Sequence, residues 1–379
     1  MQLKTNITGL FLISVFIGCG IFDTTETNNN VTKLYVTLQQ QDKVAIYDTP
    51  DLTLLKTISI NFTGDNVTDT PHFIILDEVN DYWFVTTMMS GWVGQYSLIT
   101  DELIDTIYVG DYPALMAIDP DDKKIYVSRM MNNAETYIIN EIDYEGESLE
   151  KRDITLNSPI LHGIALDNDK DYLFTVSNTA DWIYRVKIKG DYEDPINISM
   201  DPIYLLYPNN FDSETPYKKF QPIQCISLND SLIAITCSAA GGAVKGQVQI
   251  WNGNNLTFIS AYEFDFGSKP WHLIKSPLYE EVFIALGGQN GSGGVACLRY
   301  SENNAGLIMF ESKWSTNTGD YNTLHGIAID ALGKYFYVSG RGDHKLYKFD
   351  AETGELLDST PLGGEGVIIA PAGISIMQN

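Results

Sequence analysis

His162-Gly163-Ile164-Ala165-Leu166-Asp167 returns nearly letter for letter as His325-Gly326-Ile327-Ala328-Ile329-Asp330, with weaker copies at His72-Phe73-Ile74-Ile75-Leu76-Asp77 and Pro113-Ala114-Leu115-Met116-Ala117-Ile118-Asp119. An apolar segment that recurs roughly every 40 to 60 residues, each time before the same kind of sequence, marks a repeat architecture. Ala114 to Asp119 leads into the turn Pro120-Asp121-Asp122-Lys123-Lys124 and then Ile125-Tyr126-Val127-Ser128. His325 to Asp330 leads into Ala331-Leu332-Gly333-Lys334, then Tyr335-Phe336-Tyr337-Val338-Ser339, then Lys345-Leu346-Tyr347-Lys348-Phe349-Asp350 and a Thr353-Gly354 turn. Period-two alternation broken by turn residues predicts antiparallel hairpins.

First strands of the repeat begin near His72, Pro113, His162, Pro222, Pro270, His325 and Pro371. The two ends of the chain are incomplete in complementary ways. At the N-terminal end the repeat starts on a second strand, Leu34-Tyr35-Val36-Thr37, and at the C-terminal end it stops after a first strand, Pro371-Ala372-Gly373-Ile374-Ser375-Ile376. Joined, they complete one blade. The expectation is an all-β, seven-bladed β-propeller of four-stranded antiparallel blades, its ring closed by the C-terminal strand joining the N-terminal blade. Closure hides strand edges that would otherwise invite aggregation, and a monomer is expected.

Composition agrees. Hydrophobic residues make up 44% and aromatic residues 12%, with 22 Tyr and 16 Phe, which supplies core material and favours strand. A formal charge of −25 argues against a nucleic-acid partner, because phosphate contacts need clustered Lys and Arg.

Tyr35-Val36-Thr37, Tyr126-Val127-Ser128 and Tyr337-Val338-Ser339, with the approach Gly110-Asp111-Tyr112-Pro113, resemble the YVTN-type seven-bladed propellers of the YVTN repeat-like and quinoprotein amine dehydrogenase-like superfamily. The resemblance covers residues 33–379. It implies a fold and no single function, since relatives of this architecture include surface-layer proteins, secreted binding proteins and cofactor-bearing enzymes. Ile233-Ala234-Ile235-Thr236 and Val282-Phe283-Ile284-Ala285 depart from the signature by lacking the Tyr.

The first residues read as a targeting segment. Met1-Gln2-Leu3-Lys4 is a short positive start, Leu10 to Ile17 is apolar but too short to span a bilayer, and Phe16-Ile17-Gly18-Cys19 resembles a bacterial lipoprotein processing site. The expected organisation is therefore a signal peptide over 1–18, lipidation at Cys19, a polar tether over 19–32 and the propeller over 33–379. Localisation follows as the bacterial cell envelope, lipid-anchored on a periplasmic or cell-surface face. Gly20 stands where Asp often signals inner-membrane retention, which favours the outer membrane. Of the remaining cysteines, Cys225, Cys237 and Cys297, the first two fall on consecutive strands of one predicted hairpin, so a disulfide between them is open.

Propeller topology puts the loops that enter first strands, and those that join second to third strands, on one face. His72, His162 and His325 should therefore ring the mouth of the central channel. Trp271 occupies the same column, with His272 displaced by one. Arg129 and Arg341, at the ends of second strands, and Trp92 and Trp182, at the starts of third strands, are expected beside them. Three readings follow. Imidazoles on rigid strand starts could hold a transition metal, Cu or Zn, with His72, His162, His272 and His325 as ligands; nitrous oxide reductase is similar in using propeller histidines for copper. Arg and Trp could instead recognise an anionic or aromatic ligand. In the third reading His bonds backbone and Trp fills space between blades.

Other signals are weaker. Gly287-Gly288-Gln289-Asn290-Gly291-Ser292-Gly293-Gly294 lacks the helix and Gly-Lys-Ser/Thr of a phosphate loop. Asp119-Pro120-Asp121-Asp122 lacks the oxygen spacing of a calcium loop. No Gly-x-Ser-x-Gly elbow or His-Glu-x-x-His occurs, and although propeller lactonases of the phosphogluconolactonase type have a similar outline, their catalytic set is not matched. The expected function is a binding or interaction module for a small molecule or protein, with its ligand site at the channel mouth. The alternative is a metal- or redox-cofactor-dependent enzyme or electron-transfer protein.

Overall fold

The computed structural model describes residues 32–379 except 65–66, 131–136, 157–160, 180, 190–202, 205–219, 241, 243, 289–292 and 379. The signal, Cys19 and most of the tether lie outside the described residues. Seven four-stranded antiparallel sheets make up the rest. First strands are Pro71–Asp77, Pro113–Asp119, Leu161–Leu166, Pro222–Asn229, Pro270–Lys275, Leu324–Ile329 and Pro371–Ile376, and successive first strands pack against one another around the axis. Blade 1 is the closing blade. In it Pro371–Ile376 pairs antiparallel with Thr32–Leu38, setting Leu34 opposite Ile376 and Val36 opposite Ile374. Blades 2 to 7 follow in chain order.

The core lies between blades. Alternation along a strand sends successive side chains to opposite faces of the sheet, and here each face meets a different neighbour. Leu34 and Val36 pack toward blade 7 with Tyr337 and Leu346, while Tyr35 between them packs toward blade 2 with Trp83 and Tyr96. Full burial of a side chain of this size contributes about 1.5–3 kcal/mol. This is why the repeat carries apolar residues on both faces of its second strand.

The Thr or Ser that ends the Tyr-Val-Thr-like motif ties blades together at the axis. The Ser339 hydroxyl accepts from Gly326 N at 2.8 Å in its own blade and donates to Ala372 O at 2.8 Å in the next. Ser128 likewise accepts from Leu115 N at 3.1 Å and donates to His162 O at 2.5 Å. Thr37, Thr86 and Thr236 reach the carbonyls of His72, Ala114 and Trp271 in the same way. Val176 and Ala285 hold the equivalent places in blades 4 and 6 and have no hydroxyl. Glycine follows the histidine in His162-Gly163 and His325-Gly326 because adjacent first strands meet there. A Cβ on Gly326 would lie 2.2 Å from Ala372 O, and one on Gly163 would lie 2.8 Å from Gln224 Cα.

Cys225, Cys237 and Cys297 are buried and free. The hairpin register explains why the open pairing does not form: Cys237 faces Pro222 and Cys225 faces Ile235, so the two are not cross-strand partners.

Candidate functional site

In every blade the pairing of first and second strands slips at the start of the first strand, for instance between Pro71 and Ile74 and between Leu324 and Ile327. Such a bulge re-aims side chains. It turns the second residue of each first strand to the axis, giving a ring of His72, Ala114, His162, Ile223, Trp271, His325 and Ala372. The rings converge. Centroids of His72 and His325 are 5.7 Å apart, those of His72 and His162 6.5 Å, and those of Trp271 and His325 5.5 Å. His272, one residue on, stacks edge-on to His325 at 4.8 Å and to Phe73 at 6.4 Å.

Above this ring lies a cavity of about 410 Å³, lined by residues from all seven blades. Gln39, His72, His162, Trp271, His325 and Arg341 supply its polar or aromatic lining, with Lys269 and Thr323 at the strand entries. Met88, Met130 and Ala240 supply apolar wall. Among the described residues no carboxylate lines it, whereas two cations do, in a chain with 49 Asp and Glu against 24 Lys and Arg. The entry loops are built alike. The residue before the strand takes a left-handed conformation, at φ 58° in Thr70, 50° in Lys269 and 55° in Thr323. Its carbonyl then accepts from the residue just past the second strand: Thr70 from Met88, Lys269 from Gly287, Thr323 from Arg341.

Arg129 departs from the expected arrangement. Pro113 pairs with Arg129, but Leu324 pairs with Gly340, so Arg341 is equivalent to Met130 and not to Arg129. One residue of offset reverses the face in a strand. Arg129 accordingly packs over Gly110 and donates to Asp111 O at 3.2 Å, while Arg341 reaches the cavity. Trp92 packs edge-on to Tyr108 and Trp182 to Tyr184, so both lie outside the cavity lining. Of the residues singled out from sequence, His72, His162, His325, Trp271 and Arg341 line it. Gln39 and Lys269 do so without having been anticipated. Gln39 was legible in principle, because it follows Thr37 by the same two residues that separate Ser339 from Arg341.

Hydrogen bonds settle the chemistry of two imidazoles. Arg341 donates through Nε and Nη2 to Gln39 Oε1, at 3.1 and 3.0 Å. A guanidinium has donors only, so it fixes the amide with its oxygen toward Arg341. Gln39 Nε2 therefore donates to His72 Nδ1 at 2.8 Å. The proton of neutral His72 then sits on Nε2, which is buried without a partner. His162 has the opposite tautomer: its Nδ1 donates to Ile223 O at 2.6 Å. That carbonyl is the one left without a hydroxyl where Val176 replaces Thr or Ser, so the imidazole serves as the missing tie.

All four imidazoles are at most 5% exposed. Burial, reinforced by His162 and Arg341, lowers the pKa of His72 to about 3. Burial likewise lowers those of His162, His272 and His325. The rings are neutral at physiological pH.

The four histidines do not fit a shared metal ion. Among the described residues no group of three or more His, Cys, Asp or Glu side chains is arranged to hold one. His72, moreover, carries its proton on Nε2 and has its lone pair at Nδ1 occupied by Gln39.

No family model matches the chain, and no curated protein matches it. Solved structures do. The putative 6-phosphogluconolactonase of Bacteroides uniformis is similar with a TM-score of 0.68 at 13% identity, over 92% of this chain and 99% of that one. The periplasmic gluconolactonase of Pseudomonas aeruginosa has a TM-score of 0.67 at 14% identity, over 91% and 99%. A functionally unknown protein from Desulfotomaculum acetoxidans has a TM-score of 0.66 at 14% identity, over the same shares. At these identities the likeness is one of fold alone.

Proposed function

We propose that this chain is an exported, lipid-anchored propeller of the YVTN type whose channel mouth binds a small anionic or aromatic molecule. One observation carries the reading: a cavity of about 410 Å³, lined from every blade, holds two cations and, among the described residues, no carboxylate, within a chain of net charge −25. Its size lies in the range of small-molecule sites, and its mixture of apolar wall with a few convergent polar groups is their usual make-up. Export and anchoring rest on the Gly18-Cys19 processing pattern and the polar stretch after it.

A thermal-shift screen of sugars, nucleosides, amino acids and organic acids tests the binding reading. Hits are expected that raise the Tm of the natural chain and lose their effect in His325→Ala and Arg341→Ala. Hits that persist unchanged in both variants would place the site elsewhere. The absence of any hit in a library spanning these classes would count against a small-molecule site.

A further inference from the structure

We propose that Gln39 sets the polarity of the channel site: clamped by Arg341, it holds His72 as the Nε2–H tautomer, so the cavity offers donors and selects an oxyanion head group on a flat apolar body. The inference rests on the small-molecule reading above and names the ligand class.

Donors predominate on the described lining, where the acceptors are His162 Nε2, left free of a proton by its Nδ1–H, and one nitrogen of neutral His325. His72 Nε2 and Trp271 Nε1 are both buried and both lack a partner, although both residues line the cavity. Lys269 and Arg341, cations on the same lining, have donors and no acceptor. The Gln39 carbonyl oxygen is occupied by two N–H groups of Arg341, and the Thr323 hydroxyl is turned to Asn322 Oδ1 at 3.0 Å. A buried N–H with no acceptor costs about 1–3 kcal/mol, which a ligand oxygen restores. An ammonium would meet the like charge of Lys269 and Arg341, and an alcohol has no charge to pair with theirs. Carboxylates and phosphate monoesters bring oxygens alone when ionised, and both share this chemistry.

The body of the ligand is read from the remaining wall. Trp271 presents an indole that is half-buried, and Met88, Met130 and Ala240 complete an apolar surface that adapts to planar groups. Gln39 is a positioning residue here. It touches the cavity, but its effect on the head group passes through His72.

Four probes of one shape and different heads test the proposal on the full chain: benzoate, phenyl phosphate, benzyl alcohol and benzamidine, titrated by NMR with ¹⁵N-labelled His and Trp. Benzoate or phenyl phosphate is expected to bind at least 10-fold more tightly than benzyl alcohol or benzamidine. The Trp271 indole N–H and the His72 Nε2–H should move downfield, and whichever anion binds more tightly identifies the head group. Tighter binding of the alcohol or the amidine would overturn the oxyanion inference while leaving a small-molecule site in place. No saturation by any probe, together with an empty thermal-shift screen, would overturn both.

The role of Gln39 has its own readout. In the natural chain the ¹⁵N shifts should show His72 Nδ1 as the unprotonated nitrogen. In Gln39→Met, folded by thermal melt, that preference should disappear and benzoate affinity should fall several-fold, while His162 keeps its Nδ1–H. An unchanged His72 tautomer in Gln39→Met would contradict the positioning role. Should Gln39→Met fail to fold, Gln39→Asn, which shortens the reach to His72, takes its place with the same expected outcome.

Discussion

The Gln39 amide donates to His72 Nδ1 at 2.8 Å, and this contact joins the closing blade to the next one at the point where the channel opens. Around it the channel lining combines neutral imidazoles, one indole and two cations, and each member has a consequence that can be measured.

Stability should fall as pH drops below about 6.5, before most carboxylates titrate. The sign follows from the lowered folded-state pKa values of His72, His162, His272 and His325. Between the ordinary imidazole value and the depressed folded value, the unfolded chain binds protons that the folded chain does not, so stability is fully present above the former and lost on descent. Each imidazole that stays neutral contributes up to about 1.4 kcal/mol per pH unit in that window. Urea midpoints measured from pH 7.5 to 5 should decline, and His272→Gln should flatten the slope. A flat profile in the natural chain would contradict the burial of these rings.

Ser339→Ala should destabilise the ring by about 1–3 kcal/mol in chemical denaturation, because Gly326 N and Ala372 O both lose their partner. Ala285→Ser is the converse experiment. It places a hydroxyl where blade 6 lacks one, within the reach that Thr236 and Ser339 have to the next blade, and should leave stability unchanged or raise it by up to about 1 kcal/mol. Equal losses in both variants would show that the hydroxyls are not inter-blade ties.

Gly326→Ala should cost about 3 kcal/mol or more, since its methyl would meet a backbone carbonyl at 2.2 Å where two first strands cross. Gly146→Ala is the control, with its nearest neighbour at 3.7 Å. Comparable Tm values for the two variants would refute the close approach at the axis.

All three described cysteines should be unreactive toward a thiol reagent in the native protein and reactive after denaturation without reductant. Burial raises the pKa of each thiol and keeps it protonated. Recovery of only one of these thiols in the denatured chain would mean that two are disulfide-bonded.

The fold was legible because a propeller writes its architecture as repetition: the strand that opens with His162 and the one that opens with His325 are read from the same letters, and the ends complete each other. The ring of axial residues was legible for the same reason, since column position follows from counting along the first strand. Side-chain direction at the end of the second strand was less so. Arg129 and Arg341 look equivalent in sequence, and only the paired register shows the offset of one that sends the first to Gly110 and the second to the cavity. Gln39 was hidden for another reason. Its importance lies in orienting a neighbour, which depends on side chains from three blades, one of them 302 residues further along the chain.

That offset also supplies the most direct measurement. Benzoate and phenyl phosphate titrated calorimetrically into the natural chain, Arg341→Met and Arg129→Met compare two arginines of the same rim, only one of which lines the cavity. For the tighter-binding probe, the account predicts that Arg341→Met weakens binding at least 10-fold, about 1.4 kcal/mol, while Arg129→Met stays within about 2-fold. Equal losses in the two variants, or a larger loss in Arg129→Met, would contradict a ligand site at the channel mouth.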